Sequence, residues 1–112
     1  MNHNDLQIAR TESLYRDVNE RIAETAQRFY SDDAAFVCEC SDKECTERVD
    51  ATLTEYERVR ADGTHFLIRP GHEDERVERV VERRGPRLAI VEKFQAAIAC
   101  AVRKRDPRTD AA

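Results

Sequence analysis

A chain of 112 residues, 40% apolar and 38% charged with no tryptophan, has the length of one domain and the makings of only a thin core. Its formal net charge of -4 argues against generic nucleic-acid binding, which needs a basic surface to neutralise phosphates. No window approaches the roughly 18 apolar residues of a membrane span, and Met1-Asn2-His3-Asn4-Asp5-Leu6-Gln7 lacks the basic and apolar regions of a secretory signal, so a cytoplasmic protein is expected.

Residues 5–30 lack proline and glycine, and Leu14, Val18, Ile22, Ala26 and Phe29 recur at intervals of four or three, so a long N-terminal helix is expected. The apolar stripe is expected to face the core. Arg16, Asp17, Glu20, Arg21, Glu24 and Arg28 then form the solvated face, and Ser31-Asp32-Asp33 ends the helix. Phe36-Val37-Cys38 reads as an extended entry into a cysteine-rich loop and Arg48-Val49-Asp50-Ala51 as an extended exit. Thr54 and Glu57 have the spacing of a capping box and Gly63 supplies a stop, which predicts a short helix over 55–61. His65-Phe66-Leu67-Ile68-Arg69 predicts a strand closed by a tight turn at Pro70-Gly71.

Segments 77–82 and 87–92 flank Arg84-Gly85-Pro86, and the alternation of Leu88, Ile90 and Glu92 predicts a hairpin. Its first arm is ambiguous, since Val77, Val80 and Val81 also fit a helical spacing although valine favours strands. Phe94, Ala97, Ile98, Ala101 and Val102 form a second helical stripe that Pro107 stops. Arg103-Lys104-Arg105 with Arg108 reads as a solvated basic helix end. The expected architecture is one α+β domain over 1–112: a helix over 5–30, a zinc-stapled antiparallel β core with one short helix over 36–93, a C-terminal helix over 93–105 and a disordered tail over 106–112.

Three of the four cysteines fall within Cys38-Glu39-Cys40-Ser41-Asp42-Lys43-Glu44-Cys45. Clustered thiols in a chain without a secretory signal hold metals more often than they form disulfides, and a bridge between Cys38 and Cys40 would be strained. In an extended chain residues two apart point to the same side, so Cys38 and Cys40 can share one ion while Glu39 faces away. The turn 41–44 can swing Cys45 in as a third ligand. Mixed sulfur and nitrogen ligation favours tetrahedral zinc, with copper(I) or cadmium as softer alternatives. For the fourth position His72, at the Pro70-Gly71 bend, is the first choice; Cys100, His65, water and an acidic side chain are the alternatives. Cys100 lies about 130° from the centre of its helical stripe and reads as a bystander, open to a dimer contact along that face.

Phe36-Val37-Cys38-Glu39-Cys40, Cys45-Thr46-Glu47, residues 53–60, Pro70-Gly71-His72-Glu73 and Val91-Glu92-Lys93, together with Val18-Asn19-Glu20-Arg21-Ile22, resemble a group of small, functionally uncharacterised actinobacterial proteins over roughly residues 14 to 93. The resemblance implies that Cys38, Cys40, Cys45 and His72 form a shared zinc site and that the helix carrying Cys100 lies outside the pattern. Arg84-Gly85-Pro86-Arg87 departs from the more polar or aromatic turn of such proteins.

Three functions compete. A structural zinc site would support a protein-interaction, regulatory module and needs four protein ligands. A small zinc hydrolase would keep an open position and use Glu39, Glu44 or Glu73 as general base, although these read first as solvated surface and no catalytic motif is present. A redox or metal sensor would need an exposed sulfur.

Overall fold

The computed structural model describes residues 3–108. The chain is α+β, in the order α1 (His3–Arg28), β1 (Asp33–Val37), β2 (Arg48–Thr52), α2 (Leu53–Arg60), β3 (His65–Ile68), β4 (Glu78–Arg84), β5 (Leu88–Lys93) and α3 (Ala96–Lys104). Strands β1 and β2 form one antiparallel pair, and β3, β5 and β4 form a second antiparallel sheet in that order. The ambiguous arm is a strand with a bulge at Val81. Strand β5 is central, so Leu88, Ala89, Ile90 and Val91 are all buried and the expected alternation is absent.

The short helix starts two residues earlier than expected. Both Thr52-x-x-Glu55 and Thr54-x-x-Glu57 match a capping box, and the first forms because β2 delivers Thr52 in extended conformation. Its hydroxyl accepts from Glu55 N at 3.0 Å while Glu55 Oε1 accepts from Thr52 N at 2.8 Å. The C-terminal helix starts later than expected, capped by Gln95, because β5 runs on to Lys93; Phe94 falls in the connection and is exposed. Of the expected tail, Asp106 is buried and paired with Arg60, while Arg108 bridges Glu20 and Glu57; residues 109–112 lie outside the described residues.

The first helix docks through a face rotated from its apolar stripe, which keeps only Ala26 buried and Ile22 half-buried against the core. Leu14 is 62% exposed and Phe29 73%, whereas Glu12, Arg16 and Asn19 are fully buried. Arg16 explains the choice. Its guanidinium donates to the carbonyls of Val102 and Gly63, both at 2.7 Å, and lies 4.3 Å from the Phe66 ring centroid. Val102 is in the last turn of α3, where carbonyls lack helical partners and the dipole favours a cation. A rigid five-donor fork satisfies those acceptors, and its charge is spread over an aromatic face. The helix ends with Tyr30 in the left-handed region at φ 57, Ser31 N donating to Ala26 O at 2.8 Å. Glycine usually fills that position, and a tyrosine there costs on the order of 1 kcal/mol.

A second buried polar group joins α1 to the hairpin. Lys93 Nζ is 2.5 Å from Glu12 Oε2 and also paired with Glu78, all three side chains being buried. Two carboxylates around one ammonium leave an excess negative charge in a dry site. Burial pushes the Glu12 carboxyl up to about 8 from its ordinary 4.5, with Lys93 opposing the rise and Glu78 adding to it.

Two predictions follow the docking. Arg16→Leu orphans two carbonyls and lowers stability by about 2–4 kcal/mol in urea unfolding, whereas Leu14→Ser changes it by no more than about 0.5 kcal/mol. Because the folded state holds a proton on Glu12 that the unfolded state has released, this group's contribution to stability falls as pH rises from 4.5 to about 8. The difference in unfolding free energy, wild type minus Glu12→Gln, should therefore fall across that window by up to about 1.4 kcal/mol per pH unit.

Candidate metal centre

The centre sits where the chain changes sheets. Cys38 N donates to Glu47 O at 3.1 Å, prolonging the ladder of β1 with β2; one residue later Glu39 N donates to Leu67 O at 2.8 Å, on the free edge of β3. Leu67 N returns a bond to Glu39 Oε1 at 2.9 Å, and Arg69 N donates to Cys38 Sγ at 3.3 Å. A carboxylate and a sulfur thus stand in for the acceptors of a missing neighbouring strand.

The other two ligands come from turns. Asp42 shapes the first, its carbonyl accepting from Cys45 N at 3.1 Å and its Oδ1 from Glu44 N at 2.9 Å. The expected tight turn at Pro70-Gly71 is formed, with Gly71 at φ 93 and His72 N donating to Arg69 O at 3.1 Å. Proline before a positive-φ glycine is the type II pattern, and it directs His72 back toward the cysteine loop.

One ligand atom from each of Cys38, Cys40, Cys45 and His72 lies within 4.8 Å of every other. His72 Nδ1 is 3.6 Å from Cys38 Sγ and 3.7 Å from Cys45 Sγ. Tetrahedral zinc, with bonds of about 2.3 Å to sulfur and 2.0 Å to nitrogen, would separate these atoms by about 3.5–3.6 Å. The residues fit such an ion with His72 coordinating through Nδ1. The Cys40 thiol is drawn down to about 5, first by its hydrogen bond with Cys38 and then by those with His72 and the Asp42 backbone, working against burial. Cys38 is pushed up by donating to Cys40 and by burial, and Cys45 is raised by burial. One sulfur of the set is therefore favoured as thiolate, the form that binds metal. Cys38 and Cys40 are buried, while Cys45 and His72 are half-buried and form the side open to solvent. Tyr15 borders the centre, its hydroxyl donating to Asp42 O at 2.9 Å. Its phenol is raised by desolvation and by the adjacent Cys40 and Cys45.

Among the described residues neither Cys100, His65 nor an acidic side chain joins this group. Cys100 is exposed on α3, and His65 Nε2 faces Glu92 Oε2 at 3.0 Å and Asp62 Oδ2 at 3.5 Å. Among the candidate bases, Glu39 does face away from the sulfurs, yet into the core and not into solvent. It is fully buried, held by Leu67 N and by Asn19 Nδ2 at 2.7 Å, and burial raises its carboxyl to about 7 against those bonds. Glu73 accepts from Gly71 N at 3.0 Å, and Glu44 is exposed. Asn19, which also donates to Val37 O and accepts from Val37 N, both at 2.8 Å, is a supporting residue that the sequence reading missed. A polar residue at helical spacing from Arg16 and Glu12 is the only signal it leaves.

Glu39→Ala should strip acceptors from Leu67 N and Asn19 at once. The expected outcome is a loss of about 2–4 kcal/mol in stability and faster amide exchange at Leu67, read by hydrogen-exchange NMR.

Comparison with known proteins returns no matching family model, no matching curated protein and no matching solved structure.

Proposed function

We propose that the protein is a small cytoplasmic zinc-binding protein in which Cys38, Cys40, Cys45 and His72 hold a structural Zn2+, and that the clamp supports a protein-interaction module. The observation that carries the reading is the set of four protein ligand atoms within 4.8 Å of one another, with His72 Nδ1 at zinc-like distances from two of the sulfurs, since a full protein shell leaves no position for a substrate or an activated water. Its placement supports the same conclusion: an ion there would pin the junction of both sheets, where a staple relieves a thin core. Five surface depressions among the described residues, of 210–450 Å³, are lined by residues other than the four ligands. Glu39, the base nearest in sequence, is committed to Leu67 and Asn19. No helix among the described residues is long and apolar enough to cross a membrane. Arg108, the end of the basic tail, is neutralised by Glu20 and Glu57, which weakens the case for nucleic acid.

A thiol-based redox or metal sensor is the second reading, favoured by one observation: Cys45 is partly exposed while the other two sulfurs of the centre are not.

Elemental analysis of the purified chain is expected to give one zinc per chain, and Cys40→Ser or His72→Ala to lose it. Chelation should lower the unfolding midpoint of the wild type and leave that of Cys40→Ser unchanged. Cobalt substitution should give the absorption of a four-coordinate thiolate site; a spectrum that shifts on adding small anions would mark an exchangeable position and count against the structural reading. Absence of bound metal would overturn it. Zinc release by mild peroxide that is lost in Cys45→Ser would move the assignment to the sensor.

A further inference from the structure

The part of the α1 stripe that the fold leaves exposed is organised. Val18 is 38% exposed, Phe29 73% and Tyr30 94%, with Ile22 half-buried between them. At 100° per residue, Val18, Ile22, Thr25 and Phe29 fall within about 60° of arc, roughly 120° from the centre of the buried face of α1. Asp17, Arg21, Glu24 and Arg28 run along one side of this stripe as a rail of alternating sign. Among the described residues none of the four makes an ion pair within 4.0 Å, a property shared with Arg10, Arg48, Arg69 and Arg105, so their charges are available to a partner.

We propose that this face binds a second copy of the chain, α1 against α1 in antiparallel orientation about a two-fold axis near residues 22 and 23. The charges select the orientation. A two-fold axis perpendicular to the plane of two antiparallel helices brings the rail alongside its own copy, whereas a parallel pair would set it against the flank that turns into the core. With residue i opposite residue 45 minus i, Asp17 meets Arg28 of the second copy and Arg21 meets Glu24 of the second copy. Both pairs are opposite in sign, and each occurs twice by symmetry. The same register places Val18 beside Phe29 of the second copy and Ile22 across the axis from its own counterpart, so apolar and charged residues are self-complementary together. The inference does not depend on the identity of the metal.

Sedimentation velocity of the full chain as purified, under reducing conditions and from micromolar to submillimolar concentration, tests it. The expected result is a concentration-dependent species of twice 12.9 kDa. Arg21→Glu and Glu24→Arg, both on exposed positions, should each weaken dimerisation by about tenfold, and the double exchange in one chain should restore it. Val18→Glu should abolish the dimer, with unchanged circular dichroism and unfolding midpoint showing that the fold survives. A species of 12.9 kDa at every concentration overturns the proposal, as does a dimer that Arg21→Glu and Val18→Glu leave intact or a loss that the double exchange does not repair.

Discussion

The edge of β3 is the constraint around which the rest of the molecule is arranged. An exposed strand edge needs hydrogen-bond partners, and here Cys38 and Glu39 supply them with a backbone amide, a carboxylate and a sulfur. One dipeptide therefore terminates the two-stranded sheet, covers the three-stranded one and aims sulfur at the candidate metal centre. The alternation of an extended chain makes the three tasks compatible. Cysteines at 38 and 40 share one side, and the residue between them must then point into the core and find partners there. Asn19 and Leu67 are those partners, which is why a carboxyl side chain can occupy a position of no exposure.

Polar groups also decide how the helices sit. Arg16 ends α3, Arg60 and Asp106 join α2 to the chain beyond α3, and Lys93 holds Glu12 of α1 against Glu78 of β4. A thin apolar core gives limited directional information, since hydrophobic burial is non-directional. Buried ion pairs contribute little net stability, but each has one good geometry, and an arrangement that leaves a member unpaired is heavily penalised. Such groups select the register of α1 where its apolar stripe alone would have chosen another face.

These same features mark what could be read from the chain and what could not. The thiol cluster and the Pro70-Gly71-His72 bend were legible because metal ligands need particular residue types and a turn needs particular backbone freedom, both written locally. The order of helices and strands was legible for a similar reason, in stops such as Gly63 and Pro107 and in stripes such as Ile98, Ala101 and Val102. The docking face of α1 was not, because periodicity records which residues share a side and not what that side meets. Arg16 looks solvated until α3 supplies the carbonyl of Val102, 86 positions along the chain. The two T-x-x-E sequences at 52 and 54 are locally equivalent, and only the extent of β2 separates them.

The ligands are unevenly spaced, three within eight residues and the fourth 27 residues after Cys45. During synthesis the three thiols emerge before His72, so an ion bound at this centre would meet the cysteines before β3 is complete. Closing the long loop afterwards carries only a slowly growing entropic penalty, and the segment it encloses contains β2, α2 and β3. If the four side chains hold an ion as proposed, the histidine would be the last of them to reach it and the cysteines the first.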